Sequence, residues 1–259
     1  MTSADPALRD IEQNVILRFS KAFESRFPSL DPSEASSAWV NSSFGAQDEF
    51  FADHLLAANA RFALIEFKAS FLAIRKEAGK PLRKVLFTQL ALRGDFLRRC
   101  LDFHYVCWGT IRRHHPAGLP FPINEEIDLL NQYAFHVAPF MKTTLQVDQS
   151  PDISTNTFLD GFINSRLIGG TYSRFKRYLD ELGQLVDGAK VGASSISGMV
   201  CIYVPASGDE PARHAYKRFN GLDSLQLLLQ PKAREPSHEH EHEMEISSQK
   251  HSFSGPTMD

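Results

Sequence analysis

Asp53, Glu66 and Lys68 are the side chains whose types and spacing could do chemistry together. Residues 53–68 read Asp-His-Leu-Leu-Ala-Ala-Asn-Ala-Arg-Phe-Ala-Leu-Ile-Glu-Phe-Lys. One acid opens an apolar run, a short polar break follows, and a second apolar run ends in Glu66-x-Lys68. Alternation along a strand places residues i and i+2 on one face. A strand over 62–68 therefore sends Glu66 and Lys68 to one side, and Ile65 and Phe67 to the other. Two charges at the end of such a run are costly to bury unless they are paired or bind something. A carboxylate and an ammonium side by side, with a second carboxylate from a neighbouring strand, suit a hard divalent cation and an anionic substrate. The bland alternative is a solvated strand edge, with Asp53 as a turn or cap residue. The run Phe-Ala-Leu-Ile-Glu-Phe at 62–67 argues against it, because it is apolar on both faces, as a covered central strand is.

Asp53, Glu66 and Lys68 together resemble the D…ExK signature of the PD-(D/E)xK nuclease superfamily, which includes restriction endonucleases, Holliday-junction resolvases and RecB-type nucleases. The resemblance covers roughly residues 1–110 and is close only over Asp53–Lys68. Ala52 departs from the proline that precedes the acid in the family motif, while the thirteen-residue step from Asp53 to Glu66 is ordinary. The resemblance implies an α/β fold: a central mixed β-sheet flanked by helices, a restriction-endonuclease-like core, and a helical C-terminal extension. It also implies that Asp53, Glu66 and the backbone carbonyl of Phe67 hold Mg²⁺, with Mn²⁺ as a substitute, in near-octahedral oxygen coordination. Lys68 would then orient the attacking water or offset charge on the scissile phosphate. Members often add an acid from the first helix; Glu12 and Glu24 both qualify, and Glu24 is preferred. Gln89 resembles a glutamine that RecB-type members carry on the helix after ExK. The implied activity is hydrolysis of DNA phosphodiester bonds. The alternative is a catalytically inactive module of the same fold for nucleic-acid or protein interaction, and a homodimer or protein partner fits either reading. Glu66→Ala or Lys68→Ala is expected to remove cleavage while leaving the melting temperature nearly unchanged.

The surrounding elements must position these residues. Leu8, Ile11, Val15, Phe19, Phe23 and Phe27 recur at helical spacing and predict a helix over 6–27. Pro81 suits the first turn of a helix over about 81–101, with Val85, Leu86, Gln89, Leu90 and Leu97 inward and Gly94 as a weak point. Residues 103–108 are aromatic and β-branched, which predicts a buried strand with His104 and Cys107 in the core. The segment 115–122 reads as a loop, 125–141 as a helix breaking near Pro139, and 143–155 as a connection. Residues 156–186 have helical period, with Leu167 among the inward positions and Gly169-Gly170 as a break. Those glycines lack the strand context of a phosphate loop. A strand is predicted over 197–205, and 222–229 is a short apolar element of either type.

Charge gives the nucleic-acid reading modest support. The chain carries a formal charge of −3, but residues 66–115 hold eleven Lys or Arg against four Asp or Glu. Of these, Lys80, Arg83 and Lys84 are the expected phosphate contacts. Arg174, Lys176 and Arg177 form a second basic group. With 42% hydrophobic side chains, residues 1–230 can build one domain. Residues 231–259 read as a disordered polar tail in which His238-Glu-His-Glu-His242 is better taken as solvated than as metal-binding. No run of 18 apolar residues predicts a membrane span, and the N-terminus has no apolar secretory stretch. Cys100, Cys107 and Cys201 lack zinc spacing and fit reduced thiols of a cytoplasmic protein.

Overall fold

The computed structural model describes residues 6–27, 38–44, 51–143, 145, 150–185, 192–204, 210–211 and 213–229. The expected tail and its histidines lie outside the described residues. The protein is α/β, with a mixed central sheet flanked by helices on both faces.

The centre of the sheet is the hairpin that carries the motif. Strands β2 (His54–Ala58) and β3 (Arg61–Lys68) pair antiparallel in full register, from His54↔Ile65 to Ala58↔Arg61. The two residues joining them, Asn59 and Ala60, have φ of 49° and 59°. That left-handed pair gives the turn whose twist matches the flanking strands. Every residue of β3 except Arg61 is buried. Phe62 and Leu64 enter one apolar cluster, while Ala63, Ile65 and Phe67 enter another on the opposite face.

Strand β1 (Ala38–Ser43) covers β2, and β4 (His104–His114) lies parallel to β3 on its other side. A parallel neighbour requires a long crossover. Here it is a 3₁₀ segment, Phe71–Gly79, followed by α2 (Pro81–Leu92) and α3 (Gly94–Phe103). The remaining strands are β5 (Ile123–Gln132), β6 (Ile153–Ser154), β7 (Gly170–Thr171), β8 (Ser197–Val204) and β9 (Arg213–Asn220). Their order across the sheet is β6-β5-β4-β3-β2-β1-β8-β9, with β7 paired to the start of β3. Helices α1 (Pro6–Glu24) and α5 (Thr155–Leu159) cover one face through Val15, Phe19, Phe23 and Phe158. The other face packs on α2, α3, α4 (Tyr133–Val137), α6 (Tyr172–Gly183) and α7 (Leu222–Leu229).

Several expectations need correction. The first half of the predicted helix over 125–141 is strand, because β5 runs antiparallel to β4 from Tyr105↔Gln132 to His114↔Ile123; only 133–140, ending around Pro139, is helical. Tertiary partners override the helix propensity of its acids. Arg112 binds Glu125 across the strands, and Arg18 of α1 binds Glu126 and Asp128. The helix expected over 81–101 is two helices, separated at Arg93, whose backbone is extended at φ −127° and ψ 92°. Val85 and Leu167 point outward, at 42% and 84% exposed. The extension after residue 110 is not simply helical, since it contributes β5 to β9. The uncertain element at 222–229 is helix α7. His104 and Cys107 are fully buried, and all three cysteines are free. Gly169-Gly170 does interrupt the helical stretch. A Cβ at Gly169 would meet the Phe62 carbonyl at 2.7 Å, and one at Gly170 would meet the Phe103 ring at 2.5 Å. Both glycines therefore let β7 lie against β3. Among the described residues no helix is long and apolar enough to cross a membrane.

Ala60 carries a Cβ in a conformation that disfavours one. Ala60→Gly is expected to stabilise the hairpin by about 0.5–1 kcal/mol, raising Tm by a few degrees. A lower Tm in calorimetry would contradict this account of the turn.

Candidate active site

Glu66 and Lys68 share the face of β3 that looks toward the crossover. Phe67, between them, anchors the strand in the opposite cluster against Phe19 at 5.4 Å between ring centroids. Asp53 stands at the entry to β2. Its Oδ2 accepts a hydrogen bond from the Phe67 amide, so the two strands fix its direction. Its side chain is 24% exposed, which makes it the solvent-facing acid of the cluster's interior group.

The crossover folds back over these residues. The 3₁₀ segment brings Glu77, fully buried, and the first turn of α2 brings Lys80 and Arg83. Tyr133 of α4 closes the far side and donates its hydroxyl to Glu77 Oε2 at 2.8 Å. Helix α1 approaches closely because β4 has a glycine beneath it. A Cβ at Gly109 would lie 2.9 Å from Val15 and 3.2 Å from the Ala69 carbonyl. That approach places Glu12, not Glu24, within electrostatic reach of Glu66, Lys68 and Lys80.

The Lys68 ammonium is the hub. Its Nζ lies 2.8 Å from Glu66 Oε1, 2.7 Å from the Phe67 carbonyl oxygen, 3.3 Å from Glu77 Oε1 and 3.7 Å from Asp53 Oδ2. Lys80 Nζ meets the same two glutamates, at 3.0 Å from Glu66 and 2.7 Å from Glu77. Arg83 bridges them from behind, with Nη2 3.4 Å from Glu66 Oε2 and Nε 3.2 Å from Glu77 Oε2. Its guanidinium also lies over the Tyr133 ring.

These contacts divide the acids into two kinds. Burial opposes ionisation of Glu66, but Lys68, Arg83 and Lys80 outweigh it and hold its carboxyl well below the usual range. Burial would lower the Lys68 and Arg83 pKa values; the surrounding carboxylates, joined at Arg83 by the Tyr133 hydroxyl, raise both instead. Asp53 behaves oppositely. Burial and the Glu66 charge push it up to about 7, against the pull of Lys68. Glu12 is raised too, chiefly by burial. Inside, Glu66 is thus held ionised among cations, while at the mouth Asp53 is pushed up to about 7 and Glu12 is raised.

The structure brings together Asp53, Glu66, the Phe67 carbonyl and Lys68. It adds Glu77 and Tyr133, which the sequence reading missed. Glu77, Lys80 and Arg83 are three residues apart in succession, an acid followed by two cations at helical spacing that could have been noticed. Glu24 is exposed at the other end of α1, beside Trp39 and Tyr216, so the preference for it over Glu12 is reversed. Gln89 is half-buried on α2 and forms no hydrogen bond with the described members of the cluster. Lys84 is exposed on α2 beside Phe87 and Thr88. Arg83 is 1% exposed and Lys80 is engaged by two glutamates, so both serve the carboxylates and neither forms a free basic surface. Much of the other basic charge is matched as well: Arg174 with Asp102, Lys176 with Asp223, Arg177 with Glu181.

No family model, curated protein or solved structure matches this chain. The site must therefore be read from its own chemistry. Among the described residues no three His, Cys, Asp or Glu side chains stand as a preformed metal cage. The donor set nevertheless suits a hard cation. Four oxygens from Asp53, Glu66, Phe67 and Glu77 surround one ammonium, and buried Glu77 Oε1 receives no well-aligned hydrogen bond. Lys68 occupies the point where those oxygens meet.

The burial also revises the expected behaviour of the variants. Glu66→Ala would leave Lys68 and Arg83 short of a partner, and breaking such a buried network costs about 3–5 kcal/mol. Asp53→Asn is the cleaner probe. The Asp53 pKa is raised on folding, so the folded state holds the extra proton between its ordinary value of 3.8 and about 7. Stability is therefore lost as pH rises through that window. Asp53→Asn should match wild type near pH 4 and exceed it in Tm above pH 7. Parallel Tm curves from pH 4 to 8 would contradict the raised carboxyl.

Proposed function

We propose that this protein is a divalent-metal-dependent nuclease that hydrolyses DNA phosphodiester bonds on a restriction-endonuclease-like core. The observation that carries this reading is the convergence of the Asp53, Glu66 and Phe67 oxygens on one cationic point. These donors come from adjacent strands, with Lys68 alongside. A bound Mg²⁺ or Mn²⁺ would lower the pKa of a coordinated water and offset phosphate charge. Asp53, Glu66 and the Phe67 carbonyl would hold the ion, and Glu77 Oε1 is a further oxygen at the same point. Occupancy requires the Lys68 ammonium to withdraw toward the mouth. From there it can orient the attacking water or face the scissile phosphate. Lys80 and Arg83 remain behind the two glutamates and help keep Glu66 ionised. Asp53 must give up its proton, so activity should rise as pH passes about 7 at low metal.

A second reading has its own supporting observation. Both oxygens of Glu66 are engaged by Lys68, Lys80 and Arg83, an internal neutralisation that would suit an inactive nuclease-fold module for nucleic-acid or protein interaction. The two readings separate in one assay. Labelled linear, circular and branched DNA is incubated with Mg²⁺ or Mn²⁺ and wild type, Asp53→Asn or Lys68→Met. Metal-dependent products from wild type, reduced at least 100-fold in both folded variants, are expected. No cleavage of any substrate, or equal cleavage by Asp53→Asn, would end the nuclease reading.

A further inference from the structure

We propose that the cleft between α3 and α6 is an oxyanion site that takes a phosphate group, separate from the candidate active site. The basic stretch within residues 66–115 and the second basic group meet there. Arg98 and Arg99 of α3, Arg93 just before it and Arg177 of α6 line a cleft of about 450 Å³ together with Gly94 and Asp95. None of these residues belongs to the Lys68 cluster. Lys80 precedes α2 and Arg93 follows it, so a helix of 12 residues, about 18 Å long, stands between the two places.

The cations outnumber their partners. Glu181 Oε1 receives Arg93 at 2.8 Å and Arg99 at 2.7 Å, while Arg177 Nε stands 3.6 Å away, beyond a hydrogen bond. Arg99 also donates its Nε to Glu181 Oε2 at 2.8 Å. Arg98 contacts Asp95, the carboxylate of the lining. Four guanidinium groups thus share two carboxylates, and each guanidinium carries five N–H donors. Glu181 is buried and does not line the cleft, so it fixes the cations without occupying the space in front of them.

Two of the four are anchored. Arg99 is 8% exposed and grips Glu181 with two nitrogens, and the Arg93 guanidinium lies over the Phe96 ring at 5.0 Å. The Arg98 and Arg177 side chains face water. Anchored and open forks around one space suit a tetrahedral oxyanion, which accepts paired hydrogen bonds from guanidinium. The lining has no aromatic or aliphatic side chain, so it offers nothing on which a base would stack or a hydrocarbon would be buried. The phosphate group itself is therefore what the cleft recognises, carried either by a free ion or by nucleic acid.

The test is calorimetric titration of the full chain in EDTA at constant ionic strength, once with pyrophosphate and once with a single-stranded DNA of about 15 nucleotides. EDTA prevents metal-dependent cleavage, so the result is independent of the nuclease reading. Wild type should saturate with one ligand per chain. Arg98→Ala with Arg177→Ala removes the two open guanidiniums, leaves the Arg93–Glu181–Arg99 contacts in place and should keep the wild-type Tm. Its affinity should fall at least about tenfold. Lys217→Ala with Arg218→Ala removes the same charge from exposed positions of β9 and should bind like wild type. A loss seen with pyrophosphate alone would name a free phosphate as the ligand, and a loss seen with the oligonucleotide would name a nucleic-acid phosphate. A wild type that binds neither, unchanged affinity in the arginine variant, or an equal loss in the β9 variant would overturn the site.

Discussion

The Lys68 ammonium among four oxygens is the interaction on which the rest of this structure depends. Glu66 and Glu77 are almost completely excluded from water, and Lys68, Lys80 and Arg83 supply the opposite charges that burying such carboxylates requires. That requirement explains the local architecture. The crossover between β3 and β4 must return to the end of β3 to deliver Glu77, Lys80 and Arg83. Tyr133 must stand behind them to satisfy a carboxylate oxygen that has no access to solvent. Gly109 must be small so that α1 can lie close enough to place Glu12 at the mouth. A charge network this dry is demanding to build. A uniformly apolar plug of similar volume would avoid the cost of desolvating these charges.

The electrostatics are graded across the site. Glu66 is held ionised by three cations, whereas Asp53, with less compensation, keeps its proton up to about neutrality. His54, the next residue, does not share that role. Burial lowers its pKa to about 4, and its neutral ring contacts Asn41 and the Phe67 ring. At the opening, Asp53 is the group pushed up to about 7, and Glu12 is raised as well. Arrival of a cation or a phosphate there would be felt first by Asp53 and Glu12, and transmitted to the interior through Lys68.

The motif hairpin was legible in the sequence because its signal is local. Period-two alternation and an apolar run on both faces identify β3, and the ladder from His54 to Arg61 follows from the turn at Asn59-Ala60. Strand β8 and the buried strand at 104–108 were legible for the same reason. What escaped depends on contacts remote in sequence. β5 carries acids that favour a helix in isolation, and only Arg18 and Arg112 reveal why they lie in a strand. The choice between Glu12 and Glu24 turned on the tilt of α1, which Gly109 sets from another element. β1 and β9 are short or polar and show little periodicity, so the sheet's far end, with its cationic edge, became visible only on folding. Lys80 and Arg83 illustrate the same limit in reverse. Their charge pointed to phosphate, but their neighbours in space are carboxylates.

The central claim is that the oxygens around Lys68 will exchange that ammonium for a divalent cation. Calorimetric titration of Mn²⁺ into the protein at pH 8, with Asp53→Asn as the comparison, tests it most directly. The account predicts one saturable site per chain in wild type and at least a tenfold loss of affinity in the variant. Absence of binding to wild type, or binding that Asp53→Asn leaves unchanged, would contradict it.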